Sequence, residues 1–298
     1  MQRPPILAFV SDLHLSRRRP FFQFNWEIAI RTIQESDVDL VVVGGDTILD
    51  VMTQSDLEYA REQLDRIGKP WIAVPGNHDI GELVGSNSSS GPVSEARRAL
   101  WHRVIGPDFW VKDIGEWRIV GLNSMIFGSG LPAEAEQALL LKSAIDTAEG
   151  LSIAVLSHHA ICKTDIKEYD ETGWMMPPVG REMLAPYLAS GKIQLLLCGD
   201  MHQSRDSVID GVRHVWAPST AFVTDLAETW RPKFGGRKCV GWIRIELAHP
   251  AVVEIQEPRE MVNFDLGNWL IDGPDLYYEF ARTRQFHGFS HPEGFTAD

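Results

Sequence analysis

The chain has 298 residues, 44% of them hydrophobic and 23% charged, with a formal net charge of −13 at pH 7. That balance fits one large α/β domain or two small ones, either able to bury a substantial core. It argues against a protein that tracks long nucleic acid, which needs many Lys and Arg to neutralise phosphates, and no apolar run reaches the ~20 residues of a membrane span.

Residues 6–11 read as a β-strand, followed by a basic turn at Arg17-Arg18-Arg19-Pro20 and an amphipathic helix over 25–35, where Trp26, Ile30 and Ile33 share one face. The run Val41-Val42-Val43-Gly44-Gly45-Asp46 reads as a buried parallel strand that stops at two glycines and delivers a carboxylate. A helix over 53–67 follows, with Thr53 or Ser55 as N-cap and Gly68 as its stop. A strand at 71–75 completes a βαβαβ beginning, for which right-handed crossovers and a parallel sheet are expected. Residues 81–106 form an insertion that opens with Gly, Ser and Asn and continues as a helix over 94–104. Strands at 109–112 and 117–123, a helix over 132–149 and a strand at 153–157 come next.

The segment 162–179 is a long, lid-like loop ending in Trp174-Met175-Met176-Pro177-Pro178. A helix over 181–189 and a strand at 193–198 precede four short strands at 207–210, 213–217, 240–247 and 252–256, which suggest a second sheet packed on the first. The expected organisation is a domain over 1–257 and a C-terminal extension over 258–298. Phe264, Trp269, Tyr277, Tyr278, Phe280, Phe286 and Phe289 mark that extension as packed chain or a homo-oligomer contact. Met1 precedes the first strand so closely that no secretory leader is expected, which points to a cytoplasmic address. Cys162, Cys198 and Cys239, scattered and odd in number, read as reduced thiols, and Asn87-Ser88-Ser89 as part of a flexible loop.

Five apolar runs end on polar residues able to hold a metal: Asp12-Leu13-His14, Asp46, Gly76-Asn77-His78-Asp79, His158-His159 and Gly199-Asp200-Met201-His202. In α/β sheets ligands gather beyond the carboxyl ends of the strands. Taken singly, each residue has an ordinary reading: an Asp after a strand caps a helix, a lone His fills a core or a surface. Together they suggest one site. Two divalent cations ~3.5–4 Å apart need a shared carboxylate, and Asp46, at the end of the central strand, is the candidate bridge. Asp12 and His14 alternate along an extended segment and can turn toward one ion. Asn77, His158, Asp200 and His202 supply further ligands. Nitrogen and oxygen donors without thiolate suit Mn, Fe, Zn, Co or Ni.

Asp12-x-His14, Gly45-Asp46, Gly76-Asn77-His78-Asp79, His158-His159 and Gly199-x-x-His202 resemble, in order, the five blocks of the calcineurin-like metallophosphoesterase family, over residues 6 to about 220. Within it the chain is most similar to the class III cyclic nucleotide phosphodiesterases and the glycerophosphodiesterases, partly through residues 217–222. The resemblance implies a four-layer αββα sandwich holding two divalent ions (Mn, Fe or Zn). Asp12, His14, Asp46 and His202 would hold one, and Asp46, Asn77, His158 and Asp200 the other. A metal-bridging hydroxide would be the nucleophile. His78 would protonate the leaving oxygen or stabilise the transition state, with Asp79 orienting it. Asn77 and His78 would contact a small phosphodiester of the cyclic nucleotide or glycerophosphodiester type. From the residues themselves, Arg17 reads either as a holder of a substrate phosphate or as part of a solvated basic turn, Trp174 either as an apolar cap on the cleft or as simple loop packing, and His159 as a substrate contact or a support for its neighbour His158. A phosphomonoesterase, nucleotide pyrophosphatase or phosphonate ester hydrolase would use the same ligands, and a non-catalytic scaffold can share the fold.

The sequence departs from that pattern twice. Asp200 stands where the last block usually has His, which predicts harder ligation and a bias toward Mn or Fe. Position 49 is Leu where the second block often has Asp or Asn, and the acid falls at Asp50.

Overall fold

A computed structural model describes residues 3–49, 53–83, 90–168, 174–224 and 235–266. The first sheet has the order β11-β10-β1-β2-β3, built from β1 (Ile6–Val10), β2 (Leu40–Val43), β3 (Trp71–Ala73), β10 (Trp242–Glu246) and β11 (Val252–Gln256). The second has the order β4-β5-β6-β7-β9-β8, built from β4 (Trp110–Ile114), β5 (Trp117–Leu122), β6 (Ser152–Ser157), β7 (Ile193–Cys198), β8 (Arg205–Ile209) and β9 (Val212–Trp216). In the first sheet β1, β2 and β3 run parallel, as the βαβαβ pattern predicts.

Strand alternation makes the layers. On β1 and β2, Ile6, Ala8, Val10, Val41 and Val43 pack under α1 (Gln23–Gln34) and α2 (Gln54–Asp65) with Trp26, Ile33, Leu57 and Leu64. Their neighbours Leu7, Phe9, Leu40 and Val42 turn the other way and meet Ile119, Ala154, Leu156, Leu195 and Leu197 of the second sheet. The outer face of that sheet, with Val120, Val155 and Leu196, packs on α5 (Pro132–Asp146) and α6 (Pro178–Ala189) through Leu141, Ile145 and Leu184. The result is the expected αββα sandwich.

The late strands are distributed differently from expectation. β8 and β9 extend the second sheet, but β10 returns to the first and pairs antiparallel with β1, matching Ile6 with Glu246. Both strands alternate in a way either sheet could accept, so only the crossing of the chain decides. Thr53, rather than Ser55, caps α2 by accepting from Asp56 N at 3.2 Å. Ser94 caps α4 (Glu95–Val104) in the same way. A four-residue helix not expected from the sequence, α3 (Asn77–Ile80), follows β3.

Residues 258–266 return to α1 and to the chain around Val223. Asn25 donates to Ala221 O and Val262 O, both at 2.8 Å, and accepts from Val262 N. The aromatic residues expected to form an oligomer contact beyond Leu266, from Trp269 onward, lie outside the described residues, as do Asp50 and residues 84–89. The three cysteines are buried and unpaired. No helix among the described residues is long and apolar enough to cross a membrane.

Candidate metal centre

The strand ends of both sheets meet at one rim. Asp12, His14, Asp46, Asp200 and His202 have φ of 55°, 46°, 49°, 62° and 49°, and they are five of the seven described non-glycine residues with positive φ. Left-handed backbone costs roughly 1–2 kcal/mol per L-residue and persists where the surroundings over-determine it. Here they do: Asp12 N donates to Gly45 O at 3.0 Å, His14 N to Asp46 O at 3.0 Å, and Asp200 N to the Asp12 carboxylate at 3.1 Å. The left-handed turns bend the chain just past the strand ends, so that these side chains face a common centre. Gly76 is required by closeness, since a Cβ there would strike the Asp46 carboxylate.

Asp46 occupies the middle. Its Oδ2 lies 3.5 Å from His158 Nε2, 3.8 Å from His14 Nε2 and 4.0 Å from His78 Nε2, while its Oδ1 accepts from His78 N at 2.9 Å. On one side His202 Nε2 lies 3.4 Å from His14 Nε2 and 3.3 Å from Asp12 Oδ1. On the other His158 Nε2 lies 3.2 Å from Asn77 Oδ1 and 3.7 Å from Asp200 Oδ1. The outer ring nitrogens are tied to main-chain carbonyls: His158 Nδ1 to Gly44 O at 2.7 Å, His202 Nδ1 to Phe222 O at 3.0 Å and His78 Nδ1 to Leu49 O at 2.5 Å. A carbonyl only accepts, so Nδ1 carries the proton and Nε2 faces inward, as in metal-ligating imidazoles.

These residues fit a pair of cations. Asp12, His14, Asp46, His158 and His202 are all buried, and Asp12 Oδ1 accepts no hydrogen bond among the described residues. The groups Asp12–His14–His202, His14–Asp46–His78 and Asp12–Asp46–His158 each bring their ligand atoms within 4.8 Å of one another. So many carboxylate and imidazole groups facing one point in a dry interior are costly without a counter-charge, which a divalent cation would supply. Burial pushes the Asp46 carboxyl up, yet His158, His78 and His14 outweigh it and hold the group well below the usual carboxylate range. Burial pushes His158 down, and Asp46, Asp12 and Asp200 reverse this, so it lies well above an ordinary histidine. Burial, followed by the nearby His78, holds His14 well below its ordinary value.

Asp79 does not reach His78. The two are successive residues of α3, about 100° apart around its axis, and the Asp79 carboxylate turns inward. It accepts from Thr47 N at 3.0 Å, Thr47 Oγ1 at 2.6 Å, Ile48 N at 3.2 Å and Gly76 N at 2.8 Å, stitching the Asp46 turn to the Asn77 turn. Burial, with Asp46 close by, pushes its carboxyl up to about 6. The orienting role expected of Asp79 is instead filled by the Leu49 carbonyl, and no sequence signal marks a main-chain acceptor. Arg17 is also elsewhere: it pairs with Glu62 at 2.5 Å and stacks 4.9 Å from the Tyr59 ring, over α2. His159 is buried beside His158, its ring centroid 5.9 Å away, with its main-chain N donating to Ser124 Oγ at 3.1 Å. Trp174 packs on Ala160, Met175, Cys198, Met201 and Trp216, next to the loop that carries Asp200. Phe222 and Ser219 were not expected at the site; Ser219 Oγ holds Asp12 O at 2.8 Å.

The sequence pattern of the family described as calcineurin-like phosphoesterase matches residues 6–204. The chain is 28% identical over 189 residues to the 3',5'-cyclic adenosine monophosphate phosphodiesterase CpdA of Pseudomonas aeruginosa, covering 63% of this chain and 62% of that enzyme. It is 26% identical over 200 residues to the probable glycerophosphodiester phosphodiesterase GpdQ of Arcobacter nitrofigilis, covering 66% of this chain and 69% of that protein. The match thus spans less than two thirds of the Pseudomonas enzyme's length. A purple acid phosphatase from yellow lupin seeds superposes with a TM-score of 0.61 at 16% identity, over 89% of this chain and 53% of that one. A dimetal phosphatase from Danio rerio does so with a TM-score of 0.57 at 11% identity, over 88% of this chain and 98% of that one. At such identities the likeness is one of fold alone. The family match covers most of the chain, which therefore belongs to the calcineurin-like phosphoesterase family.

Proposed function

Taking that membership as its premise, we propose that the chain is a dinuclear metal-dependent hydrolase of small phosphodiesters. The observation that carries the reading is the convergence of the His14, His78 and His158 Nε2 atoms on one oxygen of Asp46. The phosphodiester specificity draws on what the Pseudomonas and Arcobacter relatives are named for. Asp12, His14, Asp46 and His202 would hold one cation, and Asp46, Asn77, His158 and Asp200 the other. When bound, the pair polarises phosphoryl oxygens and lowers the pKa of water to supply a nucleophile near neutral pH.

The remaining steps belong to side chains. His78, in its imidazolium form, is the proton donor to the departing oxygen: Leu49 O accepts its Nδ1–H, its Nε2–H faces the centre, and its side chain keeps 28% exposure, so substrate can reach it. Asn77 directs its carbonyl toward His158, which leaves its amide N–H to orient a phosphate oxygen. Asp79 holds both turns in register without touching substrate.

Replacing Asp46 with Asn removes the charge that both sides share. Several kcal/mol of transition-state stabilisation should be lost, at least about a thousandfold in kcat. The measurement is turnover of bis-p-nitrophenyl phosphate by metal-free protein reconstituted separately with Mn, Fe, Zn and Co. Full activity of Asp46→Asn with any of these metals would contradict the reading. Faster release from p-nitrophenyl phosphate than from the diester would favour a monoesterase.

A further inference from the structure

Asp12 and His202 stand on the same side of Asp46 but come from different sheets. Asp12 follows β1 in the first, and His202 follows β7 in the second. The chain that leaves β9 of the second sheet continues into the first. There Ser219 is bridged to Ser11 on one side and Val240 on the other, with Thr220 N donating to Ser11 O at 3.1 Å and Gly241 N to Ser219 O at 3.0 Å. Ser219 is fully buried, and its hydroxyl accepts from Ala221 N at 2.9 Å and Phe222 N at 3.2 Å. Both partners are donors, so the hydroxyl proton goes to the Asp12 carbonyl at 2.8 Å. A hydroxyl offers one proton and two lone pairs, and all three are engaged. Asp12 N is already held by Gly45 O, so both main-chain polar groups of Asp12 are fixed. The other end of the device reaches His202: Phe222, whose N–H the hydroxyl holds, offers its carbonyl to His202 Nδ1 at 3.0 Å.

We propose that Ser219 is a positioning residue: its one hydroxyl sets a carboxylate from the first sheet against an imidazole from the second, at the 3.3 Å between Asp12 Oδ1 and His202 Nε2. The inference rests on the dinuclear reading of the site. Ser219 acts through the Asp12 main chain and the Phe222 carbonyl, not by contact with a cation or substrate. Removing the hydroxyl leaves Asp12 O and two N–H groups without that partner in a dry interior, which is costly. They regain partners only by turning, Asp12 out of its left-handed conformation at φ 55° and Phe222 away from His202, so the two ligands spread apart. Asn77 and His158 are anchored elsewhere, His158 Nδ1 on Gly44 O and the Asn77 turn on Asp79. The effect is therefore confined to one side of Asp46.

The test is calorimetric titration of the metal-free full chain with manganese. In Ser219→Ala, affinity should fall about 10- to 100-fold at one of the two binding steps, as for a lost partner behind a metal ligand, and hold at the other. Cobalt loading gives a second readout, since its visible absorption reports ligand geometry and should shift at the same step. Ser219→Cys keeps the shape with a weak donor; it should show a smaller loss at that step, and it serves as the test should the alanine variant fail to fold. Ser94→Ala, which removes the cap of α4, should lower thermal stability and leave both steps unchanged. No loss at either step in the Ser219 variants, equal loss at both, or the same loss in Ser94→Ala overturns the role of Ser219. The dinuclear reading then stands as long as the unaltered chain binds two equivalents and turns over bis-p-nitrophenyl phosphate. An unaltered chain that binds no metal and turns over no diester overturns both.

Discussion

The two sides of Asp46 are built differently. Asp12, His14 and His202 on one side are buried to 0%, 2% and 3% exposure, with two imidazoles, a carboxylate and the Phe222 ring closing off water. Asn77 and Asp200 on the other are half-buried and accompany a single imidazole, His158. Electrostatic attraction is stronger where water is excluded, and imidazole is a better match for late transition metals than amide or carboxylate oxygen. The closed side should hold its cation as part of the fold, and the open side should exchange its cation with solvent.

Breaking the closed side should have the largest effect. His14→Ala deletes one of its two imidazoles and a neighbour of Asp46, and calorimetric titration should show affinity at that position down by at least about a hundredfold. Equal loss for Asp200→Ala would abolish the distinction between the sides. Asp79→Asn should affect both sides together. An amide cannot accept every hydrogen bond that now joins Thr47, Ile48 and Gly76, so the turns carrying Asp46 and Asn77 should loosen and metal affinity fall by about 10- to 100-fold. A change confined to one titration step would contradict its role as a common brace. The smallest effect should come from Asp200→His, which makes the open side more like the closed one. Metal-dependent activity should shift from Mn or Fe toward Zn by about tenfold, without change at the tighter step. An unchanged metal profile removes Asp200 from the ligands.

The same two sides differ in how legible they were. Val41 to Asp46 is plain in sequence because a β-branched run stopped by two glycines has few other structures available. Asp12 and His14, two apart in an extended segment, share a face, and their ligand atoms lie with that of His202 within 4.8 Å of one another. Proximity in sequence does not set direction: a single turn of α3 sends the Asp79 carboxylate away from His78, and Arg17, in an exposed basic turn, pairs with Glu62. The Leu49 carbonyl left no trace in residue type. The return of residues 258–266 to Asn25 and Val223 depends on contacts more than two hundred and about forty positions apart, respectively, which no local pattern encodes.

Anomalous scattering from crystals grown with manganese tests the shared carboxylate most directly. The account predicts two peaks about 3.5–4 Å apart, with Asp46 contacting both, the peak beside His14 and His202 at higher occupancy than the one beside His158 and Asp200. A single peak, or two peaks of which Asp46 touches only one, would contradict it.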